Sequence, residues 1–144
     1  MLPEGFRWIV EEDCNQEFKC FHPKMDEYRL FDYYLCSQDT NSLVIVREVE
    51  GRIAGVAYLT VRRDHIMVER LARNKLFNYP GAGSNLLRVI ENEVAPQLGI
   101  HEVRLEAFPH VVDHYDRKLG YEEDGNPYVD REWGRLTPKR KLLA

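Results

Sequence analysis

Hydrophobic positions along the chain switch between two periods, and the switches mark out the elements. Trp8-Ile9-Val10 gives Phe6 to Glu11 the character of a first strand. Cys14 to Ser37 is rich in aromatic residues, and the pairs Leu30/Tyr34 and Phe31/Leu35, each four apart, predict a helix within it. Ser42 to Val49 and Arg52 to Arg62 read as two strands joined through Glu50-Gly51, where glycine supplies the positive φ of a tight hairpin. Asp64-His65 turns the chain into a further strand, Ile66 to Arg73. A break follows at Asn78-Tyr79-Pro80-Gly81-Ala82-Gly83, and a helix starts near Ser84 with Leu86, Ile90, Val94 and Leu98 on one face. Pro96 is expected to kink or tighten its last turn and Gly99 to end it. Glu102 to Phe108 reads as a buried strand, Val111 to Leu119 as a helix closed by Gly120, and Tyr121 restarts the sheet. After a turn at Asp124-Gly125-Asn126-Pro127, a strand is expected within Tyr128 to Leu136. This order predicts an α/β or α+β domain with a mixed sheet.

No repeat, low-complexity tract or Gly/Ser linker divides the sequence, so residues 1–144 are read as one domain. That length buries enough core to fold without disulfides or a structural metal. The balance of 20 basic against 24 acidic residues, net charge −4, argues against binding nucleic acid by phosphate neutralisation. The only basic run, Lys139-Arg140-Lys141, is read as a solvated edge or tail. The longest apolar run, Ile53 to Leu59, is about a third of a membrane span. The start lacks the features of a signal peptide, and Cys14, Cys20 and Cys36 are an odd count suited to reduced thiols. A cytoplasmic location, with no membrane partner, is therefore expected.

The chemistry is sought first at the strand–glycine–helix junction. A helix N-terminus exposes unpaired N–H groups and a partial positive charge, and Gly81 and Gly83 let backbone approach a ligand closely. A phosphate or pyrophosphate suits such a site; a ligand-free turn capped by Ser84 is the structural alternative. No Gly-Lys-Ser/Thr follows, as a P-loop requires, and no third glycine stands near Leu86 as in a dinucleotide fingerprint.

The loop Asn78 to Gly83, preceded by Leu71-Ala72 and followed by Ser84-Asn85-Leu86-Leu87, resembles the Gln/Arg-x-x-Gly-x-Gly/Ala motif of the GNAT superfamily of acyl-coenzyme A dependent N-acetyltransferases. His114-Tyr115-Asp116-Arg117-Lys118-Leu119-Gly120-Tyr121 resembles that family's second motif, and the likeness covers about the last two thirds of the chain. Asn78, Pro80 and Phe108 depart from the usual residues. The resemblance implies a mostly antiparallel central sheet with flanking helices and acetyl-CoA as co-substrate. It implies that the amides of Asn78, Tyr79, Gly81, Ala82, Gly83 and Ser84 hold the pyrophosphate, and that backbone around Leu71 and Arg73 pairs with the pantetheine arm. A primary amine, on a small molecule or a peptide, then attacks the thioester directly.

The resemblance also makes Tyr115 the expected general acid toward the leaving thiolate; its structural alternative is a packed tyrosine bonded to backbone. Strand alternation places Glu69 on one face with His65, Met67 and Leu71, and the resemblance puts it where several relatives carry a base, so it is the expected base if partial burial raises its pKa. A salt bridge to Arg70 or Arg73 is the alternative for Glu69, and His65 is the reserve base. The acids Glu11, Glu12, Asp13, Asp26, Glu27 and Asp32 suit either a cationic acceptor or a solvated face. Cys14, Cys20, His22 and Cys36 fit no common zinc spacing, and His110 and His114 suggest no third ligand, so no metal is expected. A non-catalytic domain of the same fold, binding acyl-CoA or a protein partner, is the competing function. The C-terminal strands offer an edge that a second copy could cover.

Overall fold

The computed structural model describes residues 2–22, 24–25 and 27–144. Strand β1 (Phe6–Trp8) is followed by a 3-10 turn (Glu11–Asn15), helix α1 (Leu30–Ser37), and strands β2 (Ser42–Val49), β3 (Arg52–Val61) and β4 (Ile66–Arg73). Helix α2 (Ala82–Val89) runs through a π-helical turn (Ile90–Val94) into α3 (Ala95–Gln97). Strand β5 (Glu102–Ala107), a 3-10 turn (Pro109–Val111), α4 (Val112–Arg117) and strands β6 (Glu122–Glu123), β7 (Tyr128–Asp130) and β8 (Gly134–Leu142) complete the chain. The sheet order is β1-β2-β3-β4-β5-β8-β6, with β7 also on β8. Its pairs are antiparallel except β4 with β5. The mixed, mostly antiparallel sheet with flanking helices is thus the one anticipated.

The β2–β3 hairpin turns through Glu50 and Gly51, both at positive φ (51° and 77°), the twist a two-residue hairpin favours. One face of the sheet packs Ile45, Leu59, Ile66 and Val103 against Leu86, Leu87 and Ile90 of α2 and its π turn. The other packs Val44, Val46, Ile53 and Val56 against Leu30 and Tyr33 of α1. Phe31 and Leu35 of α1 are exposed, so the apolar pair that helped reveal this helix faces outward. Gly55 sets the seat of α2: a Cβ there would meet Leu86 Cδ1 at 3.0 Å, Ala72 O at 3.2 Å and Ala82 Cβ at 3.3 Å.

Three expectations need correction. Leu98 is exposed, because the π turn inserts an extra residue into the helical phase and turns Glu91 inward instead. Tyr121 O–H donates to Glu91 Oε2 at 2.7 Å and Lys141 Nζ to Oε1 at 2.9 Å, so that buried carboxylate is matched. The C-terminal segment is a hairpin of β7 and a long β8 that reaches Leu142, so Lys139-Arg140-Lys141 is strand and not tail. Lys139 is fully buried, its ammonium 2.7 Å from Asp116 Oδ1 on α4. β6 and β7 cover the outer side of β8, which narrows the edge available to a second copy. Among the described residues, no helix is long and apolar enough to cross a membrane.

Candidate active site

Strands β4 and β5 pair only through Ile66/Val103, Met67/Arg104 and Val68/Leu105, then part. The edge of β4 that faces β5 therefore has no ladder partner beyond Val68. A cleft of about 340 Å³ opens at this divergence, lined by both strands, by Val111 and Tyr115 on one side and by Met25, Asp130 and Trp133 on the other.

The β3–β4 register slips where Tyr58 faces Arg70 but Leu59 faces Val68, which leaves Glu69 as a bulged residue. The bulge breaks the alternation expected of His65, Met67, Glu69 and Leu71. Leu71 packs with the core that holds Ile66 and Val68, whereas Ala72 belongs to the α1 face. Glu69 and Arg70, consecutive residues, both line the cleft. Glu69 is exposed, so the partial burial anticipated for it is not found.

The arginines offered as its partners are engaged elsewhere. Arg70 Cζ lies 3.4 Å from the Tyr28 ring centroid and 4.9 Å from that of Trp133, and Arg73 Cζ lies 4.3 Å from that of Phe21. His65 sits at the opposite end of β4, its Nδ1 2.7 Å from Asp64 Oδ1, and it does not line the cleft.

The expected anion loop caps α2. Gly81 is the N-cap at φ 83°, a left-handed conformation that glycine adopts without strain, and it contributes no side-chain cap. Its carbonyl accepts the first helical bond, from Asn85 N–H at 2.8 Å, and Tyr79 O accepts from Ala82 N–H at 3.4 Å. Among the described residues the Gly83 and Ser84 amides have no acceptor, so the helix end is open to an anion. A Cβ on Gly83 would stand 3.9 Å from Leu71, ordinary contact, so Gly83 is not required by local packing. Ser84 does not cap the helix; its Oγ lies 3.3 Å from His114 Nε2, tying the loop to α4. Tyr79 packs its ring 5.4 Å from Arg47 Cζ.

Tyr115 on α4 lines the cleft, its ring edge-on to Tyr121 at 5.8 Å. Burial raises its pKa above the ordinary tyrosine value and keeps the phenol protonated. Burial is the one cause of that shift, with no hydrogen bond to the hydroxyl adding to it. Its backbone carbonyl accepts from Tyr121 N–H at 2.9 Å, and the neighbouring Asp116 pairs with Lys139, so α4 is anchored on both sides of the tyrosine.

The described acids near the N-terminus do not line this cleft. Asp13 is buried against Arg7 at 2.7 Å, and Asp32 Oδ2 accepts the Arg29 amide at the start of α1. Burial works against ionisation of Asp13, but the Arg7 bond and the Val10 amide prevail and lower its pKa. Glu11, Glu12 and Glu27 are exposed, and Asp26 lies outside the described residues. The carboxylates that do line the cleft are Glu69, Glu106 and Asp130. Glu106 Oε1 accepts from Tyr128 O–H at 2.5 Å. Asp130 Oδ1 accepts the amides of Glu132 and Trp133, which lower its pKa. Sequence reasoning missed these last two because each is an isolated acid in an unremarked stretch.

The family model of the acetyltransferase (GNAT) domain matches residues 9–143. The chain belongs to the GNAT family. Solved GNAT structures share its fold over nearly the whole length. Ard1 from Thermoplasma volcanium superposes with a TM-score of 0.72 at 14% identity, covering 96% of this chain and 97% of that one. The ribosomal-protein-alanine N-acetyltransferase from Brucella melitensis gives 0.69 at 21% identity, covering 96% and 99%. A GNAT family acetyltransferase from Elizabethkingia anophelis, solved with acetyl-CoA bound, gives 0.65 at 13% identity, covering 98% and 100%. No curated protein matches the sequence.

Proposed function

We infer that this GNAT domain moves an acetyl group from acetyl-CoA to a primary amine by direct attack, with Glu69 as base and Tyr115 as general acid. One observation carries the reading: the unpaired edge of β4 and a protonated Tyr115 line one cleft, and the uncapped start of α2 abuts it at Leu71. The acetyl-CoA bound in the Elizabethkingia anophelis structure supports the choice of co-substrate.

The residues fit that ligand. The open amides of Gly83 and Ser84, with those of Asn78, Tyr79, Gly81 and Ala82 around them, suit a pyrophosphate. The free edge of β4 near Leu71 and Arg73 suits an extended arm that pairs as a strand does. Acetyl-CoA supplies the activated acyl group and a thiolate leaving group. Glu69, at the cleft mouth, takes the proton of the amine directly or through one water. Backbone amides at the bulge are available to the oxygen that gains negative charge. Tyr115 keeps its proton until the sulfur leaves and then donates it.

Calorimetry with acetyl-CoA, followed by thiol release with a panel of amines, tests the reading. Binding that is lost in Gly83→Glu, with amine-dependent thiol release, is the expected result. Binding without turnover on any amine would make this a GNAT domain that only holds acyl-CoA. No binding at millimolar ligand would remove the transferase altogether.

A further inference from the structure

The reading above leaves the acceptor open, and the bulge in β4 narrows it. In a regular strand two consecutive residues point to opposite faces. Here Glu69 and Arg70 line the same cleft because the extra residue breaks the alternation. A negative and a positive side chain thus stand one residue apart, where Cα atoms are about 3.8 Å from each other.

Arg70 is the only cationic residue among those described that line the cleft, and it shares the space with three carboxylates. None of the described carboxylates forms an ion pair with it. The guanidinium is held by two rings, Tyr28 and Trp133, and its Nη1 is buried with no hydrogen-bond partner. A buried polar group in that condition is unfavourable until something accepts from it. The neighbouring groups keep the arrangement in place: Asp130 fixes Trp133 through its amide, and Lys24 Nζ donates to the carbonyl of Glu132 beside it. The rings orient the cation without neutralising it, which leaves its charge for a ligand.

A cleft built for simple diamines or polyamines has no use for an unpaired guanidinium, which would repel them. An acceptor carrying an amine and a carboxylate a few ångströms apart matches both residues. We propose that the acceptor is an α-amino acid or a comparably compact amino-carboxylate, its carboxylate held by Arg70 and its amine presented beside Glu69. The proposal rests on the acetyltransferase reading and refines it. Only the Glu69 half depends on catalysis; recognition by Arg70 is an equilibrium property.

The test compares alanine, alaninamide, putrescine and trialanine as acceptors with acetyl-CoA, reading thiol release and the acetylated product. The alaninamide amine is less basic and more often neutral, so ordinary reactivity favours the amide. Alanine is expected to exceed alaninamide at least tenfold in kcat/KM, a charge-assisted contact being worth about 1.4 kcal/mol or more. Arg70→Gln should erase that preference by raising KM for alanine, with acetyl-CoA affinity unchanged. Arg70→Lys, which keeps the charge and loses the planar fork, should retain part of it. Calorimetric binding of alanine and alaninamide to the CoA-saturated wild-type chain gives the same comparison without turnover. It stands even if Arg70→Gln fails to fold. Equal or better use of alaninamide, putrescine or trialanine would overturn the proposal, as would a preference that survives Arg70→Gln. Either result leaves the acetyltransferase reading intact, whereas failure to bind acetyl-CoA strikes that reading first.

Discussion

The two sides of the cleft are built on different principles. On the α2 side, next to the Leu71 wall, the proposed ligand contacts are backbone: amides at the uncapped start of α2 and a strand edge without a partner. On the side of Trp133 they are side chains, Glu69 and Arg70 of β4, with Arg70 held by the rings of Tyr28 and Trp133. A site made of backbone needs only a conformation, so many side chains are tolerated in it. A site made of side chains needs identities, and there a family varies its acceptor while keeping its acyl donor.

Substitutions at five positions would break or sharpen this contrast. Gly83→Glu should give the largest effect. It places bulk and negative charge at the open helix end and is expected to weaken acetyl-CoA binding by at least about a hundredfold by calorimetry. Gly83→Ala, which the local packing admits, should stay within about twofold of wild type. Equal loss in both would mean that the site depends on glycine itself rather than on exposed amides.

Tyr115→Phe should lower kcat by about 10²–10³ with acetyl-CoA affinity retained. Because burial raises its pKa, the phenol stays protonated up to and beyond the ordinary tyrosine value. The wild-type rate should therefore show no Tyr115-dependent fall below pH 10, the unperturbed tyrosine pKa. An alkaline limb near neutrality that disappears in Tyr115→Phe would contradict the environment described. Glu69→Gln should cost less, about ten- to a hundredfold in kcat, since water reaches this exposed position and can accept the proton in its place. Unchanged turnover in that variant would leave water alone as the base.

The smallest effect concerns the support of α4. Asp116→Ala strips the partner from a fully buried ammonium and should destabilise the fold by about 2 kcal/mol in urea unfolding. This is below the value for a fully buried pair, because Asp116 itself keeps contact with water. Lys139→Met, which removes the charge, should cost less than about 1 kcal/mol or stabilise. A neutral Asp116→Ala would mean that α4 is not anchored through this pair.

Much of the fold and one side of the site could be read from the residues in order. Alternation in β2 and β3, the glycine of their turn and the apolar spacing of Leu86, Ile90 and Val94 are local signals, and each led to the right element. The loop from Asn78 to Ser84 was legible for the same reason: a conformation of contiguous backbone is written in contiguous glycines. Features that depend on register or phase were not. The bulge at Glu69 exists only relative to β3, and the π turn shows itself only through where Glu91 and Leu98 end up. Lys139 looked solvated because its run is basic, yet its strand pairs with β5 and carries it under α4 to Asp116. The stack of Arg70 with Trp133 joins residues from β4 and from the turn before β8, and no local pattern announces such a meeting.

The brief parallel junction between β4 and β5 also bears on how the chain folds. It divides the sheet into two antiparallel halves, β1–β4 and β5–β8, within which most pairings join strands adjacent in sequence. Local pairings close small loops and form early, whereas β4 must wait for the whole intervening helix before it meets β5. The two halves should gain protection from amide hydrogen exchange ahead of the three residue pairs between them, and those pairs should be the first to open. A ligand seated along that junction would then act as a splint, slowing exchange there well before it alters the melting of either half.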